Sequence, residues 1–252
     1  MSHLLPAGGS DRPVVPVGSR PHAPSVAIIV PTYNERGNIA PLVAALDRTL
    51  GALPYRVVFA DDSTDATPEE VRRVAATDAR LLLNHAPRRR GLAQAVVDAL
   101  KDTGDEIVVV MDGDLQHPPA VLPGLLAAVE QGADVAVASR YAPGGRELGL
   151  ANPMRRLVSW GSTRFASAGL PPARRTSDPL SGFFAFRRAA VDGVALRPVG
   201  FKILLEILVR GRVTHVRDVP FTFDRRRHGR SKATAWEGVN FIWHVLRLVL
   251  RR

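Results

Sequence analysis

Ile107-Val108-Val109-Val110-Met111-Asp112-Gly113-Asp114-Leu115-Gln116-His117-Pro118-Pro119 is the stretch on which the reading of the fold turns. Residues 107 to 110 form an apolar run short enough for a buried strand, and the acids begin where that strand ends. In an open α/β sheet, ligands bind in the crevice outside the carboxyl ends of the strands, where the strand order reverses. Asp112, Asp114 and Gln116 are therefore placed to meet a ligand. All three carry hard oxygen atoms of the kind that suits Mg2+ or Mn2+, and such ions complete their shells with substrate phosphates. Taken alone, the triplet is equally compatible with an acidic turn that ends a strand.

The surrounding pattern decides the context. Val26-Ala27-Ile28-Ile29-Val30 is an earlier apolar run that ends in Pro31-Thr32-Tyr33-Asn34-Glu35 and leads into a helical pattern from Ile39 to Leu50. Arg56-Val57-Val58-Phe59-Ala60 ends in Asp61-Asp62-Ser63-Thr64-Asp65 and leads into a helix over Pro68 to Ala76. A helix over Gly91 to Lys101 and a strand over Ala133 to Ala138, ending in Ser139-Arg140-Tyr141, continue the alternation. Such alternation predicts a doubly wound, mostly parallel sheet covered on both faces. Its polar tips bring Tyr33, Glu35, Asp62, the acid triplet and Arg140 to one crevice. Asn84 to Arg90 and Tyr141 to Asn152 read as loops from their Gly, Pro and Arg content. The second loop, with Gly144-Gly145, and the tract Phe221 to Lys232 are candidate lids.

Eight segments carry a resemblance: PTYNE (31–35), ADDSTDAT (60–67), RRRGLAQA (88–95), MDGDLQHPP (111–119), ASRY (138–141), SGFFAFRR (181–188), GFKILLEI (200–207) and RRHGRSK (226–232). In this order, over nearly all of residues 25–232, the chain resembles the family 2 glycosyltransferases of the dolichyl-phosphate or polyprenyl-phosphate mannose synthase type. The resemblance implies a GT-A, nucleotide-diphospho-sugar transferase fold and an inverting transfer of mannose from GDP-mannose to a polyprenyl phosphate. UDP-glucose or another UDP-hexose is the alternative donor. Mg2+ or Mn2+ is the implied cofactor.

Site residues follow from the same resemblance. Pro31, Tyr33 and Glu35 match a first nucleotide-binding tip, and Asp62 a second; the choice between Asp61 and Asp62 stays open, because the usual glycine after the paired acids is missing. Asp112, Asp114 and Gln116 match the metal site, and Asp112 and Asp114 also belong to the nucleotide-sugar site. Arg90 and Lys202 match donor contacts, and Arg226 and Lys232 match a loop that closes over the diphosphate. Arg140 matches the residue that contacts phosphate at the reacting centre; Arg155 and Ser159, whose spacing of four puts them on one helix face, join it as candidates for the acceptor phosphate. Asp114 and Arg140 are the catalytic candidates. Plainer roles compete: Glu35 in the first turn of a helix, Asp62 as a helix cap, Lys202 as a solvated lysine, and His117 and His85 as turn residues.

The acceptor implied is a phosphate monoester, already anionic near neutral pH, so no dedicated carboxylate base is expected. Catalysis then rests on positioning and on cations that hold two anionic partners together.

The net charge is +10, and residues 225–252 hold eight Lys or Arg against one acid, Glu237. From Trp236 the chain is strongly apolar, with Arg247, Arg251 and Arg252 interleaved. That run is shorter than the ~20 residues a spanning helix needs. It reads as an interfacial helix, a docking surface or the lead-in to membrane helices, against the alternative of an ordinary helix packed on the core. Basic residues there favour an anionic membrane surface. The implied organisation is a flexible tail over 1–24, a catalytic domain over 25–232 and an apolar, basic helix over 233–252. A cytoplasmic protein, peripheral on the inner membrane face, follows, with a separate membrane-anchoring subunit as a further partner. Nucleic acid is the competing ligand for so basic a chain. However, no nucleic-acid motif accompanies the basic runs, and aromatics are 6% of the residues, too few for an evident stacking platform. The chain has no cysteine, which excludes disulfides and thiol catalysis.

Overall fold

In the computed structural model, which describes residues 25–86, 88–147, 153–223 and 235–250, the first half of the chain alternates strand and helix. β1 (Val26–Thr32), β2 (Tyr55–Asp61), β3 (Leu81–His85) and β4 (Ile107–Val110) alternate with α1 (Ile39–Leu50), α2 (Thr67–Ala75) and α3 (Leu92–Ala99). There follow α4 (Leu122–Glu130), β5 (Val135–Ser139), β6 (Arg146–Glu147), α5 (Pro153–Gly169), β7 (Phe184–Arg187), α6 (Ile203–Arg210), β8 (Val216–Pro220), β9 (Thr222–Phe223) and α7 (Ala235–Leu250). Seven strands form one sheet in the order β3-β2-β1-β4-β7-β5-β8, and β6 pairs with β9 in a separate ribbon. The chain runs outward from β1 through β2 to β3, then returns to β4 on the other side of β1. That reversal is the switch point at which an open α/β sheet leaves a crevice.

Successive residues of a strand point to opposite faces, and here both faces are covered. Ile28 and Val30 of β1 pack with Leu42 and Leu46 of α1 and Leu125 of α4, while Ile29 packs with Val96 of α3 and Leu204 of α6. In α1, Ile39, Leu42, Val43, Leu46 and Leu50 are buried, the spacing of a single helix face. Pro31 sits in β1 beyond its last pairing with β4, which ends at Ile29 opposite Val110, so its missing N–H breaks no bond on that side.

β7 is the element that shapes the site. It lies between β4 and β5 and runs antiparallel to both, with Phe184 opposite Val110 and Val137. The amino end of an antiparallel strand lies at the carboxyl edge of its parallel neighbours. The residues leading into Phe184 therefore enter the crevice from the same edge as the tips of β1, β2, β4 and β5.

Two expectations are corrected. Asn84 and His85, read as the start of a loop, complete β3, whose polar end hides it because this edge strand pairs only with β2. The stretch from Tyr141 is not wholly loop, since Arg146–Glu147 forms β6 against Thr222–Phe223. Residues 1–24, the remainder of both candidate lids at 148–152 and 224–232, and Arg226 and Lys232 within the latter lie outside the described residues.

α7 packs Phe241, His244, Val245 and Leu248 inward, the apolar three against Leu205 of α6 and Ala166 of α5. Phe165 meets Phe241, and Gly169 adjoins Val245 and Val249, so α5 and α7 run side by side in the same direction. Packing on the core thus describes one face of α7, while Ile242, Trp243, Leu246, Val249 and Leu250 are exposed on it. Among the described residues no helix is long and apolar enough to cross a membrane.

Candidate active site

The first two tips are tied together before any ligand enters. Asn34 takes the left-handed conformation (φ 55°), which asparagine tolerates better than most residues. Its N–H donates to Ser63 Oγ (2.8 Å), and its side-chain oxygen accepts from the Thr64 N–H (2.9 Å). The Glu35 N–H donates to Thr67 Oγ1 (3.0 Å). Glu35 also reaches across the switch point: a Cβ on Gly113 would lie 2.8 Å from its carboxylate and 3.3 Å from Val30 Cγ1, so a side chain there would displace the Glu35 carboxylate.

The paired acids of the second tip divide their work. Asp61 is fully buried and accepts from Thr32 Oγ1 (2.7 Å) and Ser63 Oγ (2.6 Å), with His85 Nδ1 at 2.7 Å. It is architectural. Asp62 accepts from the N–H groups of Arg90 and Gly91 (both 2.8 Å) and from Arg90 Nε (2.9 Å). Arg90 is thus held in the crevice by Asp62 and Asn84, while the Arg89 guanidinium lies over the Tyr33 ring at 4.6 Å. Two of the three arginines in the 88–90 run are therefore engaged at the first and second tips, not presented as a solvated basic patch.

The acid tip is a tight turn after β4. Asp114 is buried, and its Oδ1 accepts the Gln116 N–H (3.0 Å). Leu115 between them is left-handed (φ 62°), a conformation that costs roughly 1–2 kcal/mol outside glycine and is retained only where surroundings enforce it. The Asp112 N–H donates to His117 Nδ1 (3.0 Å). Gly182 packs against this tip, where a Cβ would lie 3.5 Å from both Asp112 carboxylate oxygens and 3.3 Å from His117. Burial pushes the His117 imidazole down to about 4, against the opposing charge of Asp114. No group of three or more His, Cys, Asp or Glu suited to a metal occurs among the described residues. The hard donors at this tip are two carboxylates and the Gln116 amide, a set that suits Mg2+ or Mn2+ when substrate phosphates complete the shell.

Arg140, at the end of β5, is the buried cation of the site. Its Nε and Nη2 donate to Asp178 Oδ2 and Oδ1 (2.7 and 2.9 Å), and Nη1 lies 3.8 Å from Glu147. Burial disfavours the charge, but the hydrogen bonds and charge of Asp178 outweigh it and raise the Arg140 pKa. The guanidinium fork expected for a phosphate is thus already filled by a carboxylate, with Glu147 beside Nη1. Tyr141 adjoins it, and its hydroxyl lies 2.9 Å from Ser159 Oγ, so Ser159 of α5 does join the Arg140 group. Arg155 lies in α5 four residues earlier, and its side chain is outside the described residues.

Lys202 is not on a helix face; it precedes the first turn of α6, and its Nζ donates to the Leu180 carbonyl (2.8 Å). The short loop Asp178–Gly182 therefore touches Arg140 through Asp178, Lys202 through Leu180, and the acid tip through Gly182. Sequence reasoning missed the roles of Asp178, Tyr141 and this loop, although the loop's last two residues open the quoted segment at 181–188. No local spacing announces an ion pair between residues 38 apart in the chain.

The doubly wound sheet thus carries an acid tip at its switch point and, across the intervening β7, the largely buried Arg140 at the end of β5. The chain belongs to glycosyl transferase family 2, whose family model matches residues 27–194. It is 40% identical over 226 residues to a dolichol-phosphate mannosyltransferase of Pyrococcus furiosus, covering 89% of this chain and 63% of that protein. A dolichol-phosphate mannosyltransferase of Saccharomyces cerevisiae is 34% identical over 220 residues, covering 82% of this chain and 80% of that one. The chain thus spans less than two thirds of the length of the Pyrococcus relative. In fold it is similar to glucosyl-3-phosphoglycerate synthase of Mycobacterium tuberculosis, solved with Mn2+, UDP and glucosyl-3-phosphoglycerate, with a TM-score of 0.66 at 18% identity over 90% of this chain and 79% of that one.

Proposed function

We propose that this chain transfers mannose from GDP-mannose to a polyprenyl phosphate with inversion at the sugar's anomeric carbon. The observation that carries the reading is the loop Asp178–Gly182, which links the acid tip to two cations, Arg140 and Lys202. Such a site suits a reaction between two anions. The names of the two mannosyltransferase relatives support the choice of donor sugar and acceptor.

Tyr33 and Glu35 receive the base and ribose, and Arg89 lies over the Tyr33 ring, so a base entering here meets a cation as well as an aromatic face. Asp62 acts through Arg90, which it aims at the donor. Asp112, Asp114 and Gln116 hold the divalent cation, which when bound offsets charge on the departing nucleoside diphosphate. Arg226 and Lys232 supply positive charge for that diphosphate.

Arg140, with Arg155, Tyr141 and Ser159, holds the acceptor phosphate, whose oxygen is already anionic and attacks without a protein base. Asp178 fixes the guanidinium beforehand, so no reorganisation is needed when the phosphate arrives. Lys202 balances the second anion. Excluding water here strengthens each of these charge interactions.

Beside this end of the molecule, Trp160 and Phe165 of α5 and Ile242, Trp243, Leu246, Val249 and Leu250 of α7 form an exposed apolar face. Aromatic residues on paired amphipathic helices suit the headgroup region of a membrane, where a polyprenyl phosphate presents its headgroup. Peripheral attachment by this face, on the cytoplasmic side, follows from the same reading, and a separate anchoring subunit would reinforce it.

The test is transfer of labelled mannose from GDP-mannose to a polyprenyl phosphate in detergent, with UDP-glucose as the competing donor. Wild-type protein with Mn2+ or Mg2+ should form the mannosyl lipid. Asp114→Ala should lose about a thousandfold in rate, roughly 4 kcal/mol of barrier, while keeping its circular dichroism. Glucosyl lipid from UDP-glucose, with none from GDP-mannose, would reassign the donor.

A further inference from the structure

We infer that His117 is a positioning residue that sets the shape of the acid tip through the Asp112 amide, not a base and not merely a turn residue. The inference rests on the proposed role of that tip in holding a divalent cation with the donor's diphosphate.

The geometry fixes the state of the ring. Because the Asp112 N–H donates to Nδ1, that nitrogen carries no proton, and in a neutral imidazole the proton then sits on Nε2. Neither nitrogen is left with a basic lone pair for a substrate. The ring is buried, stacked on Phe183 at 5.1 Å, and edged by Phe221 at 5.8 Å and Phe223 at 5.7 Å. Gly182 leaves just enough room for it, since a Cβ there would approach its Cε1 to 3.3 Å. The imidazole is therefore immobilised by aromatic packing, with one acceptor aimed at one backbone amide.

That amide belongs to the first residue of the acid triplet. The turn is closed twice: inside by Asp114 Oδ1 on the Gln116 N–H, and outside by His117 Nδ1 on the Asp112 N–H. Between the closures lies left-handed Leu115. Removing the outer closure frees Asp112 to move relative to Asp114 and Gln116, and a polydentate site loses affinity when its donors are no longer held in register.

The same ring cluster reaches the other side of the site. Phe223 lies 5.7 Å below the Arg140 guanidinium while it packs on His117, so one aromatic group supports both the acid tip and the buried cation.

The experiment separates the acceptor from the stack. His117→Phe keeps an aromatic ring and loses the acceptor; His117→Asn keeps an acceptor near the Nδ1 position and loses the ring. Mn2+ is titrated into wild type and both variants with saturating GDP, read by the electron paramagnetic resonance of free Mn2+, alongside GDP affinity in EDTA and thermal unfolding. The expected result is Mn2+ affinity weakened about tenfold in His117→Phe with GDP affinity in EDTA unchanged, and Mn2+ affinity within about twofold of wild type in His117→Asn. Wild-type Mn2+ affinity in His117→Phe would overturn the inference, as would a folded His117→Asn that loses Mn2+ as fully as His117→Phe. If His117→Phe does not fold, the His117→Asn result decides alone by the same twofold criterion. Absence of Mn2+ binding by wild type would instead remove the metal reading itself, and this inference with it.

Discussion

The two sides of the crevice are held in place by different physics. On the proposed donor side, the tips of β1, β2 and β4 are stitched by short hydrogen bonds from hydroxyls and backbone amides: Asn34 to Ser63, Glu35 to Thr67, Asp112 to His117. On the proposed acceptor side, a fully buried carboxylate, Asp178, grips a nearly buried guanidinium, Arg140. Amide and hydroxyl bonds contribute about 1 kcal/mol each and fail singly, whereas losing one partner of a buried ion pair leaves the other charge uncompensated and costs about 3–5 kcal/mol. The amide and hydroxyl bonds of the donor side should therefore tolerate single changes, while the Asp178–Arg140 pair, like Asp62–Arg90 at the second tip, should not.

Paired substitutions put the contrast to its hardest test. Asp178→Asn should destabilise the fold by about 3 kcal/mol and lower transfer about a hundredfold, while Thr67→Val, which removes the hydroxyl that accepts the Glu35 N–H, should cost about 1 kcal/mol. Chemical denaturation of both variants measures the difference. Equal losses would dissolve the distinction between the two sides.

A smaller effect is expected from Arg140→Lys. An ammonium retains the charge but cannot meet both Asp178 oxygens and keep an edge for a phosphate, so transfer should fall about tenfold with the acceptor KM raised more than the donor KM. A rise in the donor KM alone would move Arg140 to the other side of the comparison.

The acceptor side also carries the exposed apolar face. Trp243→Glu or Leu246→Glu should weaken binding to anionic vesicles about tenfold each, since each removes a side chain worth about 1.5–3 kcal/mol when buried, while turnover of a short, detergent-soluble acceptor stays unchanged. Cosedimentation at fixed ionic strength measures it.

The smallest effect concerns the anchor of α7. Glu206 is buried, accepts from His244 (3.0 Å) and from the Arg197 N–H (2.8 Å), and has its carboxyl held below the ordinary value because these bonds outweigh the opposing effect of burial. A lowered folded pKa adds stability that is full above the unfolded carboxylate range and is lost as pH falls through the lower folded value. Glu206→Gln should therefore lower stability at pH 8, where the charged carboxylate contributes fully, and change little below the folded pKa, flattening the acid limb of the stability curve, as thermal unfolding against pH would show.

The same contrast explains what could be read before the fold was known. Tips at the ends of parallel strands are contiguous in sequence, so Tyr33, Glu35, Asp62 and the acid triplet announce themselves by following apolar runs. Even there, Asp61 and Asp62 are alike in sequence and differ only in what surrounds them: hydroxyls and His85 around Asp61, Arg90 and two amides around Asp62. The Arg140 group is assembled by β7, an antiparallel strand whose insertion brings residues 178–182 to the edge where β4 and β5 end. No periodicity encodes that insertion, so Asp178 and the contact from Lys202 to Leu180 were invisible. His117 was read as a turn residue and does lie in the turn after β4; the closure of Phe183, Phe221 and Phe223 around it was what no local pattern showed.

Calorimetric titration of GDP-mannose and of UDP-glucose, each with Mn2+ and with EDTA, bears most directly on the proposed donor site. The account predicts that GDP-mannose binds in Mn2+, that affinity falls at least tenfold in EDTA, and that UDP-glucose binds more weakly under both conditions. GDP-mannose affinity unchanged by EDTA would contradict the role given to Asp112, Asp114 and Gln116, and preference for UDP-glucose would contradict the mannosyl donor.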